Sequence, residues 1–252
     1  MGERPAALVT GGAIRVGRHF CETLARLGYD VAVHYHRSAE AAQETVASLR
    51  ALGVEAHGFA HDLAGPDPAA LVDRVVEVFP RLCVLVNCAS TYRAASVAET
   101  DYGLLEGEFR VNFFAPFLLT GAFARRVERG NVVNILDNKI AFNQYQYAAY
   151  LSAKKALAEL TRMAAMEFAP RIRVNGIAPG VVLPGSNRSA DYIAWRVEGI
   201  PLKRQGKLTE LGRALAYLLE NEFVTGQILF VDGGESVAHV GRNAEAYAPA
   251  RS

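Results

Sequence analysis

The chain has 252 residues, of which 51% are hydrophobic and 21% charged, enough apolar material for a well-buried core and an argument against disorder. Its formal net charge of +1, with lysine and arginine scattered, offers no general footprint for nucleic acid or an anionic membrane. Three cysteines, Cys21, Cys83 and Cys88, are odd in number and lack metal-ligand spacing, so no metal and no disulfide framework is expected and a cytoplasmic compartment fits.

Met1-Gly2-Glu3-Arg4-Pro5 runs straight into a strand pattern, without the charged and apolar regions of a signal peptide. β-Branched and apolar runs predict strands at 6–10, 31–35, 56–60, 82–87, 132–136, 173–177 and 228–231. Helical spacing of apolar positions falls between them, at 39–52, 68–79, 102–126, 147–168 and 209–219. The apolar run within 113–124 is cut by Pro116 and Gly121 and is too short to span a bilayer. This alternation predicts one α/β domain over 1–252, a Rossmann-like doubly wound parallel sheet of about seven strands with helices on both faces. The polar stretch 183–201 lies beyond a strand's carboxyl end, where substrate lids sit. The tail 239–252 is poor in apolar residues and is expected to order at a subunit contact.

Three local patterns carry chemistry. The first is the turn Thr10-Gly11-Gly12-Ala13-Ile14-Arg15-Val16-Gly17, which follows the first strand and opens a helix. Glycines there allow a pyrophosphate to approach the helix N-terminus, where free N–H groups and the helix dipole favour an anion. A glycine-rich turn with no ligand is the plainer alternative. The second is the end of the second strand, His34-Tyr35-His36-Arg37-Ser38, which has no carboxylate to accept from a ribose 2′-hydroxyl. Arg37 and Ser38 suit a 2′-phosphate and hence NADPH, unless Ser38 is simply the N-cap of the next helix.

The third pattern is Tyr150 and Lys154, four apart on a helix and so on one face. A tyrosine titrates near pH 10, and lowering that by about three units takes roughly 4 kcal/mol. A lysine ammonium about 4 Å away supplies energy of that order at an effective dielectric near 20. Thirteen residues before Tyr150, at the end of the fifth strand, stands Asp137. If ionised it would repel a developing alkoxide. It could instead be protonated, or meet a substrate N–H, unless it only caps the turn at Asn138-Lys139.

In their order these elements resemble the short-chain dehydrogenase/reductase family. Thr10-Gly11-Gly12 to Val16-Gly17 looks like its cofactor loop, Asp62-Leu63 its adenine contact, and Asn87-Cys88-Ala89-Ser90 its Asn-Asn-Ala-Gly element. Asn112 matches the asparagine of its water-linked proton relay, Tyr150 and Lys154 its catalytic pair, and Pro179-Gly180 the segment after its sixth strand. The resemblance implies an oxidoreductase using NADPH, with Gly11, Arg15, Val16, Tyr35, His36, Arg37, Ser38, Asp62, Leu63, Asn87, Ala89, Tyr150, Lys154, Pro179 and Gly180 toward the cofactor. It also implies a homotetramer built on the helices that carry Asn112 and Tyr150.

The departures from that family agree with one another. Arg15 replaces the middle glycine, Ser90 replaces the last glycine of its element, Tyr92 follows it, and Asp137 replaces a serine. Together with His36-Arg37-Ser38 they resemble the pteridine reductase branch, in which the aspartate works with the tyrosine as proton donor and an aromatic residue stacks the pterin on nicotinamide. The branch implies Arg15, Ser90, Tyr92, Asp137 and Tyr150 as substrate residues. A dihydropterin (dihydrobiopterin, dihydromonapterin or dihydrofolate) is then the expected substrate. A carbonyl reductase of a small ketone, quinone or sugar is the alternative. A silent NADPH-binding regulator is a further one, against which intact Tyr150, Lys154 and Asn112 argue.

Overall fold

β1 (Ala6–Val9) is buried at every residue, as a strand covered on both faces must be. Around it a computed structural model, which describes residues 4–183, 189–238 and 242, arranges β2 (Asp30–Tyr35), β3 (Ala56–Ala60), β4 (Leu82–Asn87), β5 (Gly130–Ile135), β6 (Ile172–Pro179) and β7 (Ile228–Val231). The sheet order is β3-β2-β1-β4-β5-β6-β7, and every pairing is parallel. All seven expected strands are present. Two apolar layers cover the sheet. One joins Phe20 and Leu24 of α1 (Arg15–Arg26), Leu49 of α2 (Ala39–Ala51) and Leu215 of α8 (Leu208–Glu220). The other joins Val72 of α3 (Ala70–Val78), Leu119 and Phe123 of α5 (Ala115–Arg126) and Ala164 of α6 (Ala148–Phe168).

The order in which strands are added reverses at β1, which leads out to β2 and β3 on one side and has β4 on the other. Open parallel sheets bind ligands at such a switch point. Thr10 closes it, because its hydroxyl oxygen accepts the N–H groups of Cys88 at 2.9 Å and Ala89 at 3.0 Å. Asn87 at the end of β4 is buried, and its Nδ2 donates to Asn134 Oδ1 at 2.8 Å.

The expected helix over 102–126 is not continuous. It divides into α4 (Tyr102–Phe109), a π-turn (Arg110–Phe114) and α5. Pro116 sits at the start of α5; it has no N–H, and its ring crowds the carbonyl four residues earlier, that of Asn112. Asn112 Nδ2 also bonds the Glu108 carbonyl at 3.0 Å. A π-turn relieves both conflicts and often marks a functional site. The polar stretch after β6 likewise contains α7 (Ala190–Glu198), capped by Ser189, whose Oγ accepts the Tyr192 N–H at 3.1 Å. Residues 184–188 of that stretch, and all of the 239–252 tail except Arg242, lie outside the described residues. Among the described residues no helix is long and apolar enough to cross a membrane.

Candidate active site

A cavity of about 900 Å³ opens at the switch point, lined from the β1, β3, β4, β5 and β6 ends and by α7. Its floor is the turn after β1. Gly11 has φ +63° and lies so close to β4 that an added Cβ would meet Ala89 Cα at 3.0 Å. Arg15 also has a positive φ, +55°, which costs a residue with a side chain about 1–2 kcal/mol. It stands where the family loop has glycine, and the structure supplies the reason: the backbone needs a glycine-like angle there. In exchange its Nη2 donates to the Leu183 carbonyl at 2.7 Å, tying the turn to the segment after β6.

His34 braces this turn, a role the sequence reading missed. Its Nδ1 accepts the Gly11 N–H at 3.0 Å, which leaves the ring proton on Nε2 for the His61 carbonyl at 3.0 Å. Burial pushes the His34 pKa down to about 4, against the opposing hydrogen bond to His61. Beyond it, His36 Nδ1 lies 3.9 Å from Asp62 Oδ1. Both residues line the cavity with Leu63, whereas Arg37 and Ser38 sit at the β2–α2 turn outside the lining. Ser38 occupies the N-cap position of α2 but its hydroxyl caps no amide of the helix. Tyr35 turns its ring toward Gly58 on β3.

The reactive end lies where β5 meets α6. Ala, Leu and Lys dominate α6, good helix formers, and Tyr150, Ala153, Lys154 and Leu157 fall on its buried face. Lys154 Nζ donates to the Ile135 carbonyl at 2.8 Å, and desolvation pulls its pKa down to about 8. Tyr150 Oη donates to Asp137 Oδ2 at 2.9 Å. The other oxygen, Oδ1, accepts the Lys139 N–H at 2.8 Å. The hydroxyl bonds to Asp137 rather than to Lys154, whose Nζ bonds the Ile135 carbonyl. Burial first, then the charge and hydrogen bond of Asp137, raise the Tyr150 pKa well above its ordinary value. The phenol hydroxyl thus points at the carboxylate.

Tyr92 is half-exposed and stacks on Tyr147, with ring centroids 4.1 Å apart at 9°, and meets Tyr150 edge-on at 4.7 Å. A parallel bridge from Ala95 to Tyr147 fixes this wall. Asn112 is buried and does not line the cavity. Its Oδ1 accepts from Ser90 Oγ at 2.7 Å, and its Nδ2 lies 3.0 Å from Thr91 Oγ1 and 3.1 Å from Glu108 Oε2. Glu108 is itself buried and paired with Arg93 at 2.9 Å. The asparagine thus bonds to Ser90, which does line the cavity.

Of the anticipated site residues, the fold gathers Gly11, Arg15, Val16, His36, Asp62, Leu63, Ala89, Ser90, Tyr92, Asp137, Tyr150, Lys154, Pro179 and Gly180 around one cavity. It leaves Tyr35, Arg37, Ser38, Asn87 and Asn112 outside that lining. Besides His34, the cavity also takes Lys139, Tyr147 and Arg196, for which the sequence offered no motif.

The short chain dehydrogenase family model matches residues 5–192. The chain belongs to that family and is an oxidoreductase. Among solved structures it is similar to FolM, alternative dihydrofolate reductase 1, from Brucella suis in complex with NADP, with TM-score 0.89 and 34% identity over 94% of this chain and 97% of that one. Pteridine reductase 1 of Leishmania tarentolae is 33% identical over 92% of this chain and 96% of its own length. A 3-oxoacyl-[acyl-carrier-protein] reductase, FabG, of Staphylococcus epidermidis is 31% identical over 91% and 98%.

Proposed function

We propose that this chain reduces a dihydropterin or dihydrofolate to its tetrahydro form with NADPH. The hydrogen bond from Tyr150 to Asp137 carries the reading. Reduction of a C=N bond needs a proton delivered to nitrogen. The Tyr150–Asp137 pair holds one proton at the cavity wall, on a phenol that burial and the carboxylate keep protonated. A ketone reductase would gain nothing from a carboxylate at that point, where an ionised oxygen repels the developing alkoxide.

The cofactor end fits NADPH. Gly11 and Arg15, both at positive φ, shape a tight turn that leads from β1 into a helix N-terminus suited to a pyrophosphate, and no carboxylate ends β2. Arg37 and the uncommitted Ser38 hydroxyl suit a 2′-phosphate, as the NADP in the Brucella FolM structure accords with. When bound, NADPH supplies the hydride. Lys154 would hold the nicotinamide ribose, Arg15 the pyrophosphate or the substrate, and Ser90 a polar edge of the substrate. Tyr92 offers its face to a flat heteroaromatic, a contact worth about 0.5–1.5 kcal/mol beyond burial.

NADPH oxidation with a panel of dihydropterins, dihydrofolate and small ketones tests the reading. Turnover of a pterin supports it. Turnover of ketones with none of any pterin overturns it in favour of a carbonyl reductase. Exposed apolar side chains along α5 and α6, among them Phe117, Met163 and Met166, suit a homotetramer, which light scattering tests. The three cysteines are free thiols, which suits a reducing cytoplasm.

A further inference from the structure

Glu235 opens α9 (Glu235–Ala238) and is fully buried, yet the proton chemistry above makes no use of it. Its Oε1 accepts from Arg196 Nη1 at 2.8 Å and from Lys139 Nζ at 2.9 Å. Its Oε2 accepts from Asn138 Nδ2 at 2.9 Å. These donors come from two cavity-lining elements that are far apart in the chain. Arg196 projects from α7, and Asn138 and Lys139 belong to the short 3₁₀ turn (Asn138–Ala141) directly after Asp137.

That same turn holds the aspartate. Lys139 N–H donates to Asp137 Oδ1, and Ile140 N–H reaches the Asp137 carbonyl at 3.2 Å, so Oδ2 is left facing Tyr150. On its outer side α7 is held by Arg242, whose carbonyl accepts from Arg196 Nη1 and whose Nη1 donates to the Trp195 carbonyl at 2.9 Å. Burying this many charges is a poor way to gain stability, because desolvation offsets the attraction. The arrangement fixes relative position instead, since Glu235 satisfies both elements only when both are in place.

We infer that Glu235 is a positioning residue that couples the substrate-facing helix α7 to the turn carrying Asp137. With α7 seated, the turn holds Asp137 against Tyr150; with Arg196 released, the turn loosens. The inference rests on the proposed role of Asp137, and its test separates the two.

Hydrogen exchange on the full chain without substrate, wild type against Glu235→Gln, reads the coupling directly. The variant keeps the side chain's length and loses its charge. The expected result is faster exchange in 138–142 and in 190–198 together. With a pterin, kcat falls about tenfold, KM moves less, and NADPH affinity stays within about twofold, the scale of a lost coupling rather than a lost contact. Glu235→Asp, which keeps the charge, recovers part of kcat. Faster exchange in α7 with the turn still protected, or an unchanged kcat, overturns the inference. Arg196→Lys decides by the same readouts where Glu235→Gln does not fold. A wild type inert to every pterin would sink the substrate assignment and leave the exchange comparison to decide the coupling.

Discussion

Tyr150 gives its hydroxyl hydrogen to Asp137 Oδ2 at 2.9 Å, while Lys154, one turn further along the same helix, gives its own to the Ile135 carbonyl. The lysine thus bonds the backbone of β5, and the aspartate bonds the phenol. The division predicts different consequences for loss of each.

Replacing Asp137 with serine removes the partner of the phenol and leaves the cofactor cradle untouched. Pterin turnover is expected to fall by about 10²–10⁴-fold, the usual worth of a positioned acid–base group. NADPH affinity, read by fluorescence titration, should stay near the wild-type value. Equal pterin turnover in both proteins would remove the aspartate from the chemistry.

The pH profile separates Tyr150 from Lys154. Burial and Asp137 raise the tyrosine, whereas desolvation lowers the lysine to about 8. An alkaline fall in kcat/KM for NADPH near pH 8 is therefore expected, as Lys154 loses the proton with which it would hold a ribose oxygen. Arginine stays protonated through this range, so Lys154→Arg should abolish that limb while lowering activity. A limb that persists unchanged in Lys154→Arg would assign it to another group.

Acid stability tests His34. Its folded pKa of about 4 lies below the unfolded value of 6.5. The unfolded chain therefore binds the proton first, and stability is full above pH 6.5 and declines as pH falls toward 4. Between pH 7 and pH 5 the loss should be about 2 kcal/mol, measured by urea unfolding. His34→Asn, which still offers an oxygen to the Gly11 N–H, should flatten that dependence. A wild-type curve already flat across this range would refute the buried neutral imidazole.

Arg15 trades backbone strain for a long-range bond. Arg15→Gly relieves about 1–2 kcal/mol of strain, offset in part by the entropy of a glycine in the unfolded chain. The melting temperature should hold or rise, while the KM values for NADPH and substrate rise. A variant that melts several degrees lower with unaltered KM would show that Arg15 is structural only.

The proposed NADPH site gives Arg37 the 2′-phosphate. Arg37→Asp should weaken NADPH relative to NADH by about 10–100-fold, the value of a hydrogen bond to a charged group. An unaltered NADPH/NADH ratio would place the 2′-phosphate elsewhere.

How much was legible follows from the range of each interaction. The seven strands, the glycine turn and the Tyr150–Lys154 face were readable because each is a period or spacing within a few residues. The break at Asn112 has a local cause as well, Pro116 four residues on, and that signal lies in the sequence. The bracing of Gly11 by His34 had no such signal, since the partners lie 23 residues apart and meet only when β1 and β2 pair.

By itself the sequence determined the kind of sheet, the end of it that binds a nucleotide, and the candidate residues for acid–base chemistry, because periodicity and side-chain type are local properties. Tertiary structure alone decided which groups meet. It set Asp137 rather than Lys154 against the phenol, bent Arg15 toward Leu183, and brought Glu235 between α7 and the Asp137 turn. Those outcomes depend on burial and on distances between segments far apart in the chain, and desolvation is set only once the chain has closed around them.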